Sequence, residues 1–272
     1  VEANHEHLSV YEKKTEKYLY SFAVKGHGKN ETIAMDMFET SKDDTLEIID
    51  QAKYKILKYK IHRDSTELIS EKFIKLKNVG PLQEVYRHND SIIVFNTLDC
   101  KLQTYNDLTN SIVSVYDVCD SLGIEKSKKD IVNYHFAYYE NKICLGFRHF
   151  NSITMGHIDN DGMIVIPNIK DLKDKAEKAD KDKYYYAFVS MNGNNIIAQY
   201  MGYSLGFVKK MASNYNLFSP QFEIEIYTTD LKPYKHVMVD TDILRCKLSD
   251  GGNSFYSWNP LDVKGNILVF KY

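Results

Sequence analysis

Between Asp90 and Val115 the chain reads DSIIVFNTLDCKLQTYNDLTNSIVSV. Apolar and polar residues alternate, a short polar turn follows, and the alternation resumes. A period of two marks half-buried β-strands joined by hairpins. A lone hairpin has too little surface to bury, so a unit of this kind must recur. It does: Tyr11-Glu12, five residues and Tyr18; Ile49-Asp50, five residues and Ile56; Phe95-Asn96, five residues and Leu102; Tyr227-Thr228, five residues and Tyr234. A tighter copy runs Ile158-Asp159-Asn160-Asp161-Gly162-Met163, where Asp-Gly tolerates the positive φ of a short hairpin turn. Copies at positions 11, 49, 95, 158 and 227 give units of roughly 40 to 70 residues, each of several strands, which is the signature of a β-propeller.

The intervals between the copies fill with strands. Met35 to Thr40, Leu46 to Ile49, Lys55 to Ile61 and Leu68 to Leu76 form one set of four. Gln83 to Arg87, Ile92 to Phe95, Leu102 to Tyr105 and Ile112 to Val118 form a second, followed by a charged loop from Cys119 to Asp130. Asn133 to Tyr139, Lys142 to Phe147, Ser152 to Ile158 and Met163 to Ile166 form a third. Tyr184 to Ser190, Asn195 to Met201, Phe222 to Tyr227 and Tyr234 to Val239 form a fourth, with an insertion from Gly202 to Pro220. Two strands remain at each end, within Leu8 to Val24 and in Ser254 to Trp258 and Asn266 to Tyr272. Paired, they complete a last blade and hide the sheet edges. The expected fold is therefore all-β: four-stranded antiparallel blades in one propeller domain, residues 1–272, with five blades counted and six possible, closed by its terminal strands. The run DLKDKAEKADKDK from Asp171 to Lys183 reads as a solvated helix or mobile loop between blades.

Composition narrows the function classes. With 35 basic and 37 acidic residues the net charge is -2, so no field of one sign steers the chain to nucleic acid or a membrane surface. No stretch has the apolar length of a membrane span. The 21 tyrosines suit strands that are apolar on one side and wet at the tip. Cys100, Cys119, Cys144 and Cys246 are too far apart for a zinc ribbon or a CxxC pair; buried thiols are expected over one or two disulfides. A first residue Val1 rather than Met fits removal of a leader. His5-Glu6-His7 stands at a frayed terminus and Asp159-Asn160-Asp161 in a turn, and neither continues into a metal-ligand series. No Walker loop, HExxH or CxxC cluster occurs, and neither metal nor cofactor is expected.

One motif competes. Gly202-Tyr203-Ser204-Leu205-Gly206 is a literal GxSxG, the strand-to-helix turn that exposes the nucleophile of α/β-hydrolases. His236 and Asp230 lie downstream in triad order, but only six residues apart, and the alternating helices of such a fold are missing from Leu8 to Ile166. In a propeller, ligands bind at the mouth of the central channel. The first strand of each set would line it, through Phe38, Tyr86, Phe136, Tyr186 and Tyr256, with His88, Arg148, Tyr200 and Trp258 as further polar or aromatic contacts. Arg148-His149 and Asn151 otherwise read as a solvated hairpin end.

Three stretches carry a family resemblance: Ser9-Val10-Tyr11-Glu12 through Phe22 with the turn Gly26-x-Gly28-x-Asn30-Glu31; Asp44 through Ile61; and Phe218-Ser219-Pro220 through Glu225-Ile226-Tyr227-Thr228-Thr229-Asp230-Leu231. In these the chain resembles the TolB-like β-propellers of secreted bacterial lipoproteins, usually six-bladed. Lys29 stands where that family often has Pro. The resemblance implies a secreted, periplasmic or cell-surface lipoprotein of a Gram-negative bacterium, tethered to the membrane only through an N-terminal lipid. It implies no catalytic residues. The function expected is a non-enzymatic propeller of the cell envelope that binds a peptide, protein or glycan; the alternatives are a serine hydrolase using Ser204 and a metal-dependent propeller enzyme.

Overall fold

A computed structural model of the chain describes residues 6–12, 14–15, 17–28, 31–37, 44–76, 79–204, 206–207, 210, 222–239, 246–248, 254–258 and 267–271. They divide between two compact units, Val1–Leu98 with Gln103–Val113, and Asp99–Leu102 with Ser114–Tyr272. Phe38 lies outside the described residues. The fold is all-β; among the described residues the strands pair antiparallel, with one isolated parallel bridge between Lys25 and Thr32.

The first unit opens with a hairpin, β1 (Glu6–Tyr11) and β2 (Tyr18–Val24), which form a two-stranded sheet. A four-stranded meander follows: β3 (Met35–Met37), β4 (Thr45–Asp50), β5 (Lys55–Ile61) and β6 (Thr66–Phe73). The next is β7 (Leu82–Arg87), β8 (Ile92–Thr97), β9 (Lys101–Asn106) and β10 (Ser111–Asp117); the start of β9 and the end of β10 belong to the second unit. Successive side chains of a strand point to opposite faces, and β4 buries both. Ile48 and its partner Leu57 pack with Phe22 and Tyr59, whereas Ile49 and its partner Ile56 pack with Leu82, Val85, Ile93 and Phe95. The sheet β3–β6 is thus covered on one face by the hairpin and on the other by the next meander.

The second unit repeats this stacking. It contains β11 (Tyr134–Tyr139), β12 (Lys142–Phe147), β13 (Ile153–Ile158) and β14 (Ile164–Val165); then β15 (Lys183–Asn192), β16 (Asn195–Ser204), β17 (Phe222–Thr228) and β18 (Pro233–Val239); and last β19 (Cys246–Leu248), β20 (Ser254–Trp258) and β21 (Ile267–Lys271). One face of β15–β18 buries Val189, Met191, Ile196 and Ala198 against Ala137 and Cys144. The other buries Phe188, Ile197, Ile224 and Ile226 against Cys246 and Phe255.

The four predicted sets of four strands are all present. Three details differ from the sequence reading. The chain ends in three strands rather than two, because β19 has only three residues and is too short to show a period. The charged stretch after β10 is not a plain loop: Val118, Cys119 and Leu122 are buried on a helix, α1 (Val118–Leu122), and a 3-10 helix spans Lys126–Val132. The Asp117 carboxyl accepts the Asp120 N–H to start α1, and Gly123 at φ 68° ends it, an ordinary pair of caps. Of DLKDKAEKADKDK, the residues Lys173–Glu177 form a second short helix, α2, with Ala176 buried. The third difference is one of phase. The recurrent motif closes the hairpin after the second strand of the sheets β3–β6 and β7–β10, but after the third strand of β11–β14 and β15–β18. It marks hairpins, though not equivalent ones.

The motif's chemistry is visible at Asp50. This buried carboxyl accepts the N–H groups of Ile33 (2.9 Å), Ala34 (3.3 Å), Ala52 (3.1 Å) and Lys53 (3.2 Å). It thereby ties the turn after β4 to the chain leading into β3. Lys53 in turn donates to the carbonyls of Gly26 (3.2 Å), Gly28 (2.8 Å) and Glu31 (2.7 Å), while the Glu31 carboxyl accepts the Gly28 N–H at 2.7 Å. A Cβ on Gly26 or Gly28 would collide with the Glu31 carboxyl, which explains the two glycines of that turn. Removing the acceptor of four N–H groups strands them in a protein interior, where each uncompensated group is costly. Asp50→Ala should therefore destabilise the first unit by about 3 kcal/mol or more, with Asp50→Asn intermediate, as measured by urea unfolding; a loss below about 1 kcal/mol would refute this account.

Candidate functional site

The sequence Glu223-Ile224-Glu225-Ile226-Tyr227 on β17 alternates strictly, so the isoleucines fill the core on one face and the two glutamates and the tyrosine share the other. Register then assembles their neighbours. On β16, Tyr200 stands opposite Glu223, Ala198 opposite Glu225 and Ile196 opposite Tyr227. On β18, His236 stands opposite Glu225, and on β15 Tyr186 stands opposite Tyr200.

Hydrogen bonds knit this face into one network. Glu225 Oε2 accepts the hydroxyls of Tyr227 at 2.5 Å and Tyr186 at 3.1 Å. The Tyr186 hydroxyl also lies 2.8 Å from Asn151 Oδ1, in the loop after β12. His236 Nδ1 is 2.6 Å from Glu223 Oε1, and its Nε2 is 4.0 Å from Glu225 Oε1. Side-chain exposure rises outward, from 11% at Glu225 to 29% at Glu223 and 56% at His236. The tyrosine rings pack edge to face: Tyr186 and Tyr200 have centroids 5.7 Å apart, and Tyr185 is 6.2 Å from Tyr200.

Electrostatics fix what these groups can do. Burial, and then the Glu225 charge, pushes the Tyr186 phenol far above its ordinary value. Burial followed by the hydrogen bond to Glu225 raises Tyr227, and burial followed by the charge of Glu225 raises Tyr200. All three are neutral phenols at physiological pH, unable to act as bases or nucleophiles, and Tyr186 and Tyr227 hold Glu225 in place. One ligand atom from each of Glu223, Glu225 and His236 lies within 4.8 Å of the others, so a divalent cation would find two carboxylates and an imidazole here. It would have to break the hydrogen bond between His236 and Glu223. Elsewhere in the second unit a cleft of about 350 Å³ opens between Tyr116, Ser121, Ile166 and Ile169, with its charged groups Lys170 and Asp171 exposed.

Of the residues singled out from sequence, Tyr186 and Tyr200 meet in this network. Arg148 follows β12 and is held elsewhere: its Nε donates to His135 Nε2 at 3.0 Å and its guanidinium sits 5.8 Å from the Tyr184 ring centroid. Tyr86, on β7, and His88, just after it, belong to the first unit. Tyr256 and Trp258 lie on β20, the middle strand of the last sheet; the Trp258 side chain is outside the described residues. Phe136 and Tyr186, expected to line a channel, are core residues exposed by 0% and 2%. Sequence reading passed over Glu223 and Glu225, although their strict alternation with two isoleucines was the signal. It treated Asn151 as turn polarity, whereas its side chain meets Tyr186.

Ser204, His236 and Asp230 are not assembled as a triad. Ser204 is the last residue of β16 and its Oγ accepts the Phe207 N–H at 3.2 Å. Asn195, at the start of β16, pairs with Thr228 beside the β17–β18 turn that carries Asp230. Ser204 is nine residues further along β16, on the order of 30 Å at strand rise. Asp230 itself is bound to Lys232 at 2.7 Å and to Thr228, which lower its carboxyl to about 2. Gly202 owes its presence to backbone shape: it sits at φ 63°, and a Cβ there would come within 2.9 Å of the Tyr200 ring.

No family model matches the chain, and no curated protein does. Among solved structures it is similar to the computationally designed Ika8 protein, at 11% identity and a TM-score of 0.47, covering 99% of this chain and 66% of that one. It is also similar to a chain in the complex of KlAtg21 with the coiled coil of AgAtg16, at 10% identity and a TM-score of 0.49, covering 98% of this chain and 75% of that one. The chain thus spans just under two thirds of the designed protein's length.

The tyrosine–glutamate network gives a signed pH dependence. The folded-state values of Tyr186 and Tyr227 are raised above the unfolded value of 10.0, so their contribution is complete below pH 10 and is lost as pH rises beyond it. The unfolding midpoint of the second unit should therefore fall as pH climbs from 9 to 12, and less steeply in the double variant Tyr186→Phe, Tyr227→Phe; parallel curves would contradict the assignment. At pH 7, Tyr186→Phe should cost about 1.5–3 kcal/mol, the worth of a hydrogen bond to a charged group.

Proposed function

We propose that this protein is a non-enzymatic binding propeller, and that its ligand is a peptide or protein presenting a basic side chain to the Glu223–Glu225 face. The observation that carries this reading is the pairing of two carboxylates with tyrosine rings on one half-buried sheet face. Carboxylates supply charge-assisted acceptors for an ammonium or guanidinium, and the ring faces of Tyr200 and Tyr185 offer a cation–π surface. The neutral phenols of Tyr186 and Tyr227 orient Glu225 without competing for the cation. Stacked meanders of four short strands support the propeller architecture. In this reading the hairpin β1–β2 and the sheet β19–β21 complete one closing blade. The cell-envelope setting draws its support from the resemblance to TolB-like lipoproteins.

Titration calorimetry with lysine- or arginine-rich, neutral and acidic peptides tests the ligand class. We expect binding of the basic peptides alone, weakened about tenfold or more by Glu223→Gln or Glu225→Gln, the scale of losing one charge-assisted contact. Preference for an acidic peptide, a neutral glycan or a divalent metal ion would replace this reading. The serine-hydrolase alternative requires covalent capture of a fluorophosphonate at Ser204. No labelling is expected, because among the described residues no histidine base stands in register with Ser204, and its Oγ caps the Phe207 N–H.

A further inference from the structure

Two thiols of the second unit stand at the open end of a hairpin and take no part in the site above. Cys100 immediately precedes β9, and Cys119 follows β10 by two residues, on the first turn of α1. β9 and β10 are neighbours in their sheet, and the Val118 N–H donates to the Cys100 carbonyl at 3.2 Å, closing the hairpin beside both sulfurs. The backbone bond sets Cys100 against Val118, the residue immediately before Cys119, and a disulfide spans Cα atoms about 4.4–6.8 Å apart. Each thiol is the largest single influence on the other's titration, the Cys100 thiol donates to the Lys129 carbonyl at 3.4 Å, and both residues are buried, at 4% and 2% exposure. The other cysteines lie apart from this pair, Cys144 between β11–β14 and β15–β18 and Cys246 between β15–β18 and β19–β21.

We propose that Cys100 and Cys119 are a redox modification site, a dithiol that closes into an intramolecular disulfide across the base of the β9–β10 hairpin. The co-reactant is a low-molecular-weight disulfide such as oxidised glutathione. The Cys119 thiolate attacks one sulfur of it, forming a mixed disulfide and releasing one glutathione thiolate, which takes up a proton. The Cys100 thiol then loses its proton and attacks Cys119 Sγ, releasing the second glutathione. Two protein thiols are oxidised and one glutathione disulfide is reduced to two thiols, so electrons and protons balance. The neighbouring Cys100 thiol holds the Cys119 thiol below its ordinary value, which makes Cys119 the first attacker. Burial pushes the Cys144 thiol up and the Cys246 thiol up to about 12, so neither competes. The bridge encloses residues 101 to 118 and removes freedom chiefly from the unfolded chain.

The test is equilibration of the full chain in graded glutathione buffers, approached from reduced and oxidised sides, folded and in 8 M urea (roughly the concentration needed for full unfolding). Free thiols are trapped by alkylation and linked peptides are mapped by mass spectrometry. We expect one linked peptide pair joining Cys100 to Cys119, with Cys144 and Cys246 alkylated. The pair should stay oxidised in the folded protein at a glutathione ratio roughly a hundredfold more reducing than in urea, as loop closure over this length predicts. Four free cysteines in the folded protein under conditions that oxidise the unfolded chain would overturn the proposal. So would a persistent glutathione adduct on Cys119 or pairing with Cys144 or Cys246. The variant Cys144→Ser, Cys246→Ser must reproduce the link; should it fail to fold, the wild-type peptide map decides alone.

Discussion

Short strands impose one demand throughout the described residues: each reversal leaves backbone N–H groups that the ladder cannot satisfy. The protein meets it with side-chain oxygens at the ends of strands. Asp50 takes four N–H groups, and Asn89 takes those of Ser91 and Ile92. Asn106 takes Leu108 and Thr109, and Asp159 takes Asp161 and Met163. Such Asx turns substitute a side chain for a backbone acceptor. With the turns fixed locally, register follows, and register decides which face of each strand enters the core.

This explains why so much of the fold was legible. Alternation located the strands, and polar residues marked the turns, because both follow from side-chain direction and from backbone satisfaction. The motif at Ile49-Asp50 even names a cross-strand pair, since Ile49 stands opposite Ile56. What it could not convey was phase. A turn starter serves any hairpin, so the same pattern marks the second turn of one sheet and the third of another. The short β19 and the helix α1 escaped for a related reason: three residues carry no period, and Val118, Cys119 and Leu122 are too few to declare a helical face.

The site was less legible than the fold. Tyr186 and Tyr200 read from sequence as channel-facing aromatics, yet they meet because register places them opposite one another and tertiary packing brings Asn151 to the Tyr186 hydroxyl. Glu223 and Glu225 carry the charge, and their alternation with buried isoleucines was open to inspection. The GxSxG pattern is the louder signal in the sequence. Its first glycine answers a left-handed backbone and a tyrosine ring, so the match reflects local geometry rather than chemistry.

The Lys53 ammonium nitrogen sits among the carbonyl oxygens of Gly26, Gly28 and Glu31, the coordination that loops in many proteins borrow from calcium or sodium. Here the cation is covalently tethered. The turn therefore keeps its shape irrespective of chelators or ionic supply, and its conformation is encoded in the polypeptide rather than recruited from the medium.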